Sequence, residues 1–268
     1  MKISAVVLTK NEENNIERCL KSIGFCDEII IIDDDSVDKT INIIQNLKFK
    51  VQNYNSKLKI FQRNLNNDFS GQRNFGMEKA TGNWILFVDA DEEVTREHKF
   101  EIRSTIWRIK FEKNAYYIKR RDFWWGKELK YGETRKLRDL GIIRLVRKKS
   151  GKWTGKVHEI FKPSVSVGLL KSFLNHYPHP SLQDFIGKIN YYSSLRAKEL
   201  YQSGKKPCLC ETIFNPFFKF CLNYFIYLGF LDGVPGFAYA FLMSFHSFLV
   251  RAKLFQFRMD YEKSKFNN

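Results

Sequence analysis

The sequence predicts an α/β fold in which a mostly parallel, Rossmann-like sheet is covered by helices on both faces. The apolar runs ISAVVL (3–8), EIIIID (28–33) and WILFVD (84–89) are continuous rather than alternating, which is typical of strands buried on both faces. Segments with apolar residues at helical spacing separate these runs. This alternation of strands and helices indicates a parallel sheet with helical crossovers.

The elements of the first 90 residues can be predicted one by one. Ile16, Leu20 and Ile23 recur at helical spacing, and Ser36 is the predicted N-cap of a second helix. The predicted strands are 3–8, 28–33, 58–61 and 84–89, and the predicted helices are 11–23, 36–47 and 71–80. Because ligands bind beyond the carboxyl ends of parallel strands, the polar residues after the first, second and fourth strands are expected to converge.

Two further helices are predicted beyond this region. Residues 95–112 have the pattern of an amphipathic helix. Residues 181–204 predict another, capped by Ser181 and closed by Gly204.

The most apolar segment lies near the C-terminus. Residues 220–250 carry one charge, Asp232, and GFLDGVPGF interrupts them. We expect a helical hairpin whose halves, 220–231 and 237–250, are each too short to cross ~30 Å of hydrocarbon. The hairpin either packs on the domain as core or docks into a membrane interface, and a bilayer-spanning hairpin is less favoured.

Charge is distributed unevenly along the chain. The formal net charge is +16, yet residues 1–100 carry 14 Lys and Arg against 16 Asp and Glu. Residues 101–268 carry 31 against 13. The acidic half suits a metal, and the basic half is expected to meet nucleic acid, anionic lipid or a phosphorylated substrate.

The composition favours a folded protein of a reducing compartment. Hydrophobic residues make up 44% of the chain, enough to bury a sizeable core. The five cysteines show no CxxC spacing, which argues against a zinc site and favours the cytoplasm. The start MKISAVVLTKNEE is expected to be neither a signal peptide nor a transmembrane span.

The acids of DADEE follow the fourth predicted strand. Asp89 and Asp91 flank the small Ala90, so both carboxylates can face one cleft. Such carboxylates repel each other unless a cation lies between them, and their oxygens suit Mg²⁺ or Mn²⁺. The alternative is a solvated acidic turn, and Glu92 and Glu93 are expected to serve the positive end of the next helix.

Two other polar clusters lie at this predicted edge. In DDDS (33–36), we expect Asp35 and Ser36 to cap a helix and Asp33 or Asp34 to face a ligand donor such as the N3–H of uracil. Arg73 in QRN lies just upstream of the acidic strand, where a guanidinium can pair with a diphosphate. The alternative for this residue is a surface arginine.

These motifs together resemble a known family. AVVLTKNEENNIERCLKSI, EIIIIDDDSVDKT, QRNFGMEKATGNWILFVDADEEVT and KVHE are similar in order and spacing to family-2 glycosyltransferases of the GT-A fold. YYSSLRAKELYQSGKK and GFLDGVPGFAYAF further resemble the WaaE/KdtX subfamily of lipopolysaccharide core glycosyltransferases. The chain departs from that subfamily at NDFSG, where a Trp-Gly-Phe-Gly-like run is expected, which weakens the transfer of donor and acceptor identity.

The resemblance implies a nucleotide-sugar donor and inversion at the anomeric carbon. It implies a GT-A nucleotide-sugar-binding and catalytic domain over residues 1–165 and a helical region over 166–268 for membrane-surface or acceptor docking. Carried over by motif, Thr9, Asn11 and Glu12 lie at the nucleoside pocket, and Asp34 contacts the uracil. Arg73 and Asp89 lie at the diphosphate. Asp89 and Asp91 form the metal site, with Asp91 the more direct ligand.

The resemblance also implies an acidic general base beyond Asp91. VHE offers His158 and Glu159, and Glu159 is the predicted base. His158 then orients the base, contacts the metal or is a core histidine. Asp122 and Glu133 are weaker candidates for the base.

The predicted function is an inverting, metal-dependent hexosyltransferase. Its donor is expected to be a UDP-linked sugar, and analogy with the subfamily suggests glucose. Its acceptor is expected to be a lipopolysaccharide core or a related glycolipid. Trp124, Trp125 and Trp153 are predicted platforms for sugar rings, and the expected location is the inner face of the cytoplasmic membrane.

Two other functions fit the sequence less well. A nucleotidyltransferase needs a Gly-rich loop after the first strand, and LTKNEENN has no glycine. A basic nucleic-acid-binding protein without enzymatic activity leaves the acidic strand ends unexplained, since they would repel phosphate.

Overall fold

The computed structural model of the protein describes residues 1–50, 57–107, 113–155, 159–164 and 166–266. The chain forms two compact units. The first contains residues 1–121 and 136–177, and the second contains residues 122–135 and 178–268. Residues 166–177, which the sequence analysis grouped with the helical region, belong to the first unit because their strand joins its sheet.

The first unit is built on a sheet whose N-terminal half is parallel. Strands β1 (Ile3–Thr9), β2 (Glu28–Asp33), β3 (Leu58–Gln62) and β4 (Trp84–Asp89) lie in the order β3-β2-β1-β4 and are all parallel. The four predicted strands are therefore confirmed.

Further strands extend this sheet beyond β4. They are β5 (Glu92–Val94), β6 (Ala115–Trp124), β7 (Lys127–Leu129), β8 (Ile142–Arg147) and β11 (Val167–His176). Strand β8 pairs with β4 antiparallel. Strands β9 (Gly151–Thr154) and β10 (Ile160–Pro163) lie outside this sheet. The order continues β4-β8-β6-β11-β5, β7 pairs with β6, and β9 and β10 form a separate pair. Through β8, β4 becomes an interior strand, so its acidic end lies among neighbours on both sides.

Both faces of the sheet are covered, as predicted. The helices are α1 (Ile16–Ser22), α2 (Thr40–Lys50), α3 (Phe69–Lys79), α4 (Arg96–Trp107) and α5 (Arg135–Leu140). Ala5 and Val7 of β1 pack in one buried cluster with side chains of α1, α2 and α4. Val6 between them packs in a second cluster with Trp153 and side chains of α3. This alternation follows from the two-residue period of a strand.

The start of α2 differs from the prediction. The helix begins at Thr40, whose amide donates to Oδ1 of Asp38 at 2.9 Å. The amide of Ser36 donates to Asp33 at 2.9 Å, and its hydroxyl also donates to Asp33 at 2.5 Å. Ser36 is therefore part of a tight turn after β2, and its prediction as the N-cap of α2 is wrong.

The second unit has its own buried cluster. Helix α6 (Leu182–Gln202) begins where the Ser181 hydroxyl accepts from the amide of Asp184 and ends before Gly204, at φ +77°, as predicted. The cluster contains Trp124, Leu129, Phe185, Ile189 and Leu242.

The C-terminal hairpin is confirmed, with longer arms than expected. Helix α7 (Leu209–Cys221) continues as one π turn (Leu222–Ile226), a 3-10 turn (Gly229–Asp232) follows, and α8 covers Gly233–Phe266. Pro235 lies in the first turn of α8, where no intrahelical N–H bond is lost. Among the described residues, one helical stretch, Gly229–Asp260, is long enough and apolar enough to cross a membrane. The prediction that the second arm of the hairpin is too short to do so is therefore wrong.

Candidate active site

Three strand ends meet at the carboxyl edge of the parallel strands. In register, Thr9 of β1 lies opposite Asp33 of β2, and Leu8 lies opposite Asp89 of β4. The polar residues that follow these strands are therefore neighbours, which confirms the predicted convergence.

Asp89 lies between two buried arginines. Nη2 of Arg73 donates to its Oδ1 at 2.9 Å, and Nη2 of Arg144 donates to its Oδ2. The side chains of Arg73 and Arg144 are each 4% exposed, while that of Asp89 is 28% exposed. Asp89 is thus held in place and neutralised by guanidinium groups of the chain itself.

The electrostatics of Asp89 follow from this pairing. Burial alone would raise the pKa of Asp89, but the charges of Arg144 and Arg73 outweigh it and lower the pKa to about 2. Burial would lower the pKa of Arg144, and the charges of Asp89 and Glu92 raise it instead. Asp89 and Arg144 are therefore both charged at neutral pH.

Arg73 also contacts Glu159, the predicted base. Its Nε donates to Oε1 of Glu159 at 2.9 Å, across 86 positions of sequence. One guanidinium thus joins the acid that ends β4 to the acid that precedes β10. His158 lies outside the described residues, so its predicted role stays a prediction.

Glu92 has a structural role that differs from the expected one. It lies in β5 with a fully buried side chain, its Oε2 accepts from the amide of Asp89 at 2.9 Å, and its Oε1 accepts from Arg144 at 3.0 Å. Glu93 accepts from the hydroxyl of Tyr177 at 3.0 Å. The prediction that these two acids serve the next helix is wrong, because both are engaged by side chains around β5.

Arg144 was missed by the sequence analysis. Tyr116 of β6 pairs with Leu145 of β8, and Tyr117 pairs with Ile143, so Arg144 is an extra residue in an irregular step of the pairing. Such bulges re-aim side chains near functional sites. The available signal was a charged residue inside the apolar run GIIRLV, at a position that a buried strand rarely gives to a cation.

Asp91 has a second potential metal ligand beside it. Nε2 of His176, at the end of β11, lies 3.4 Å from its Oδ2, and both side chains are largely buried. His176 was also missed, although it follows a strand-like run just as Asp91 does. A carboxylate and an imidazole fit a divalent cation whose remaining positions are filled by substrate oxygens. In the described residues no group of three or more His, Cys, Asp and Glu side chains surrounds one point.

The predicted nucleoside residues line the ends of β1 and β2. The amide of Asn11 donates to Ser36, and its Oδ1 accepts from the amide of Val37, both at 2.9 Å. Glu12 accepts from Asn15 at 2.8 Å. The buried hydroxyl of Thr9 has no hydrogen-bond partner within the described part of the chain. Buried polar groups are usually paired, so this hydroxyl is notable.

Asp33 and Asp34 differ in their surroundings. Asp33 is fully buried and holds the turn through Ser36. Asp34 accepts from Nζ of Lys10 at 2.7 Å and from the amide of Leu65 at 2.8 Å. Asp33 is therefore committed to the turn after β2, whereas the partners of Asp34 are residues of neighbouring loops.

Several other predicted residues have structural roles. Asp122 and Glu133 belong to the second unit, where Glu133 accepts from Lys219 at 3.3 Å. Trp124 and Trp153 are buried core residues, so their predicted role as sugar platforms is wrong, because their rings pack against other aromatics. Trp125 is 50% exposed and stacks on Trp124.

Comparison with known proteins identifies the family. Residues 4–141, just over half of the chain, match the model of glycosyl transferase family 2. An uncharacterised glycosyltransferase of Rickettsia typhi is 30% identical, over 94% of this chain and 86% of its own. The lipopolysaccharide core biosynthesis glycosyltransferase LpsC of Rhizobium meliloti is 28% identical, over 95% of this chain and 92% of its own.

A solved structure shares the fold. Residues 1–349 of Staphylococcus aureus TarS, in complex with UDP-GlcNAc, superpose with a TM-score of 0.50 at 17% identity, over 97% of this chain and 92% of that chain. The predicted GT-A fold is confirmed, and so is the prediction of an enzyme over a non-enzymatic binding protein. The chain is a glycosyltransferase and belongs to glycosyl transferase family 2.

Proposed function

We propose that the protein transfers a sugar, with inversion, from a UDP-linked donor to a lipopolysaccharide core or related glycolipid acceptor. The observation that carries this proposal is the bridge through Arg73, which joins Asp89 at the end of β4 to Glu159. A base and a diphosphate-binding edge are thereby held in one cluster.

The donor side of the proposal rests on the ends of β1 and β2. Asp34 offers carboxylate oxygens to the N3–H of uracil, and each such oxygen has two lone pairs. Thr9, Asn11 and Glu12 form the rest of the nucleoside pocket. Nη1 of Arg73 has no acceptor in the described part of the chain, so the guanidinium has a donor to offer a diphosphate oxygen.

Asp91 and His176 would hold the divalent cation. An imidazole in the donor set favours Mn²⁺ over Mg²⁺, which prefers oxygen ligands. Asp89 is engaged by Arg73 and Arg144, so Asp91 is the more direct ligand of the pair. When bound, the cation supplies neutralisation of the charge that develops on the departing nucleoside diphosphate.

Glu159 acts as the general base. Its carboxylate takes the proton of the acceptor hydroxyl as the hydroxyl oxygen attacks the anomeric carbon from the face opposite the diphosphate. The bond from the anomeric carbon to the diphosphate oxygen breaks in the same displacement, so the configuration inverts. The hydrogen bond from Nε of Arg73 to Oε1 of Glu159 orients this carboxylate toward the step.

The acceptor class rests on the LpsC likeness and on the charge of the chain. LpsC is a lipopolysaccharide core biosynthesis glycosyltransferase. Residues 101–268 carry 31 Lys and Arg against 13 Asp and Glu, which suits a phosphorylated, acidic acceptor. Such an acceptor is anchored in a membrane, so the enzyme works in the cytoplasm at the membrane surface.

The proposal is tested by a screen of UDP-sugars with Mn²⁺ or Mg²⁺. At least one donor should raise the thermal midpoint of the protein and be slowly hydrolysed. Stabilisation by a GDP- or CMP-sugar alone would contradict the UDP assignment, and stabilisation by none would contradict the proposal as a whole.

A further inference from the structure

The second unit exposes an unusually large set of apolar side chains along one stretch of sequence. We call the exposed apolar residues between 209 and 248 the hairpin face. Its members are Leu209, Ile213, Phe214, Phe217, Phe218, Leu222, Phe225, Ile226, Tyr227, Leu228, Phe230, Leu231, Val234, Phe237, Phe241, Phe245 and Phe248. In α7 and in α8 these residues recur every three or four positions, which places them on one side of each helix. Exposed apolar sides of this kind mark interaction sites.

The polar groups at the tip of the hairpin are turned inward. The carboxylate of Asp232 is buried and accepts from the amides of Lys130 and Tyr131 at 3.0 and 2.9 Å. Nζ of Lys127 donates to the carbonyl of Asp232 at 2.7 Å, and the amide of Gly132 donates to the carbonyl of Tyr227 at 2.9 Å. The one acid of the tip is thus removed from the outer surface.

The arms of the hairpin satisfy polar groups internally as well. Ser244 of α8 donates its hydroxyl to the carbonyl of Pro216 in α7 at 2.6 Å. Polar groups that are satisfied inside the protein can enter a lipid interface without losing hydrogen bonds.

Charge favours an anionic lipid surface over a protein partner. Residues 205–258 contain six Lys and Arg against two acids, Glu211 and Asp232, and Asp232 is buried. Basic residues beside an aromatic-rich apolar face are typical of proteins that sit in the interface of an anionic membrane.

Helix α8 has a protein side and an outer side. Leu242 packs with Trp124, Phe185 and Ile189, and Leu254 is buried, while Phe241 and Phe245 are exposed. A helix with one side committed to protein core cannot be surrounded by lipid. The hairpin therefore suits insertion into one leaflet rather than crossing of the bilayer.

We infer that the hairpin face inserts into the interface of an anionic membrane and anchors the enzyme there as a monotopic protein. This inference deepens the proposed function, because a membrane-anchored acceptor requires an enzyme at the same surface. Lipid binding itself does not depend on donor chemistry, so the two can fail separately.

The test uses the full chain and flotation with vesicles of phosphatidylcholine, with or without phosphatidylglycerol. Two double variants remove exposed aromatics from the hairpin face: Phe217→Ser with Phe218→Ser, and Phe225→Ser with Phe230→Ser. The matched control, Phe100→Ser with Trp107→Ser, removes two aromatics that are at least as exposed from α4 of the first unit.

Wild type and control should float with phosphatidylglycerol vesicles, and each hairpin double variant should bind at least about tenfold more weakly. All three variants should hydrolyse UDP-sugar like wild type, whereas Glu159→Gln should float normally without hydrolysis. Equal flotation of wild type and hairpin variants would overturn the inference. A second result would also overturn it: the wild type is a dimer in light scattering, the hairpin variants are monomers, and neither binds vesicles.

Discussion

Nη2 of Arg144 donates both to Asp89 and, at 3.0 Å, to Oε1 of Glu92. One guanidinium therefore compensates the acid at the end of β4 and the buried acid of β5. Because Glu92 also accepts from the amide of Asp89, the three residues fix the turn that carries Asp91.

Replacement of Arg144 by methionine should cost about 3–5 kcal/mol of stability, since it removes the closer cation of the buried Glu92 and leaves it only Arg120 at 3.8 Å. Urea unfolding measures this loss. The double variant Arg144→Met with Glu92→Gln should recover much of it, while UDP-sugar hydrolysis should stay impaired because Asp89 remains without Arg144. Full recovery of hydrolysis in the double variant would show that Arg144 acts only through Glu92.

Glu159→Gln should lower turnover by about 10²- to 10⁴-fold, as expected for loss of a general base. Binding of the UDP-sugar, measured by calorimetry, should change little, because the amide keeps the size of the carboxylate. The matched control is Glu78→Gln on the exposed side of α3, which should leave turnover unchanged. Unchanged turnover in Glu159→Gln would exclude Glu159 as the base.

His176→Ala should raise the Mn²⁺ concentration needed for half-maximal hydrolysis by about tenfold or more. Asp91→Asn should do the same, since the imidazole and the carboxylate would share one cation. His246→Ala removes a histidine from α8 and serves as the control. An unchanged Mn²⁺ requirement in His176→Ala would exclude the imidazole as a ligand.

Acid should weaken the fold through His98. Burial lowers the pKa of His98 to about 4 from an ordinary value of 6.5, and the nearby Glu101 only partly opposes this. The unfolded chain therefore binds the proton first, and stability is lost as the pH falls from 6.5 to 4, by up to about 3 kcal/mol. His98→Asn should show a flatter dependence of the urea midpoint on pH in this window. The same slope in both proteins would assign the acid sensitivity to other groups.

Two glycines in helices should respond oppositely to alanine. A Cβ at Gly76 of α3 would lie 2.3 Å from Cγ1 of Val6, so Gly76→Ala should destabilise the fold by about 1–3 kcal/mol. A Cβ at Gly187 of α6 meets no atom within 4 Å, so Gly187→Ala should stabilise it by about 0.5–1 kcal/mol. Thermal midpoints compare the two, and destabilisation by Gly187→Ala would contradict the packing of α6.

Much of the parallel half of the sheet could be predicted because its signals are local. Continuous apolar runs identified β1, β2 and β4, and the edge at which they end followed from the rule for parallel strands. Ser181 and Gly204 likewise set the ends of α6. The start of α2 was misjudged because the hydroxyl of Ser36 had a competing acceptor in Asp33.

The sequence by itself determined the fold class, the family motifs and the acids that stand at the sheet edge. Only the tertiary structure decided which of these acids are neutralised by arginine and which lies beside a histidine. Asp89 is 55 residues from Arg144, and Arg73 is 86 residues from Glu159. Such pairs have no local signature, because they depend on a bulge in β8 and on which strands become neighbours. The same holds for the hairpin face, since an apolar run looks alike whether its side chains are buried or exposed.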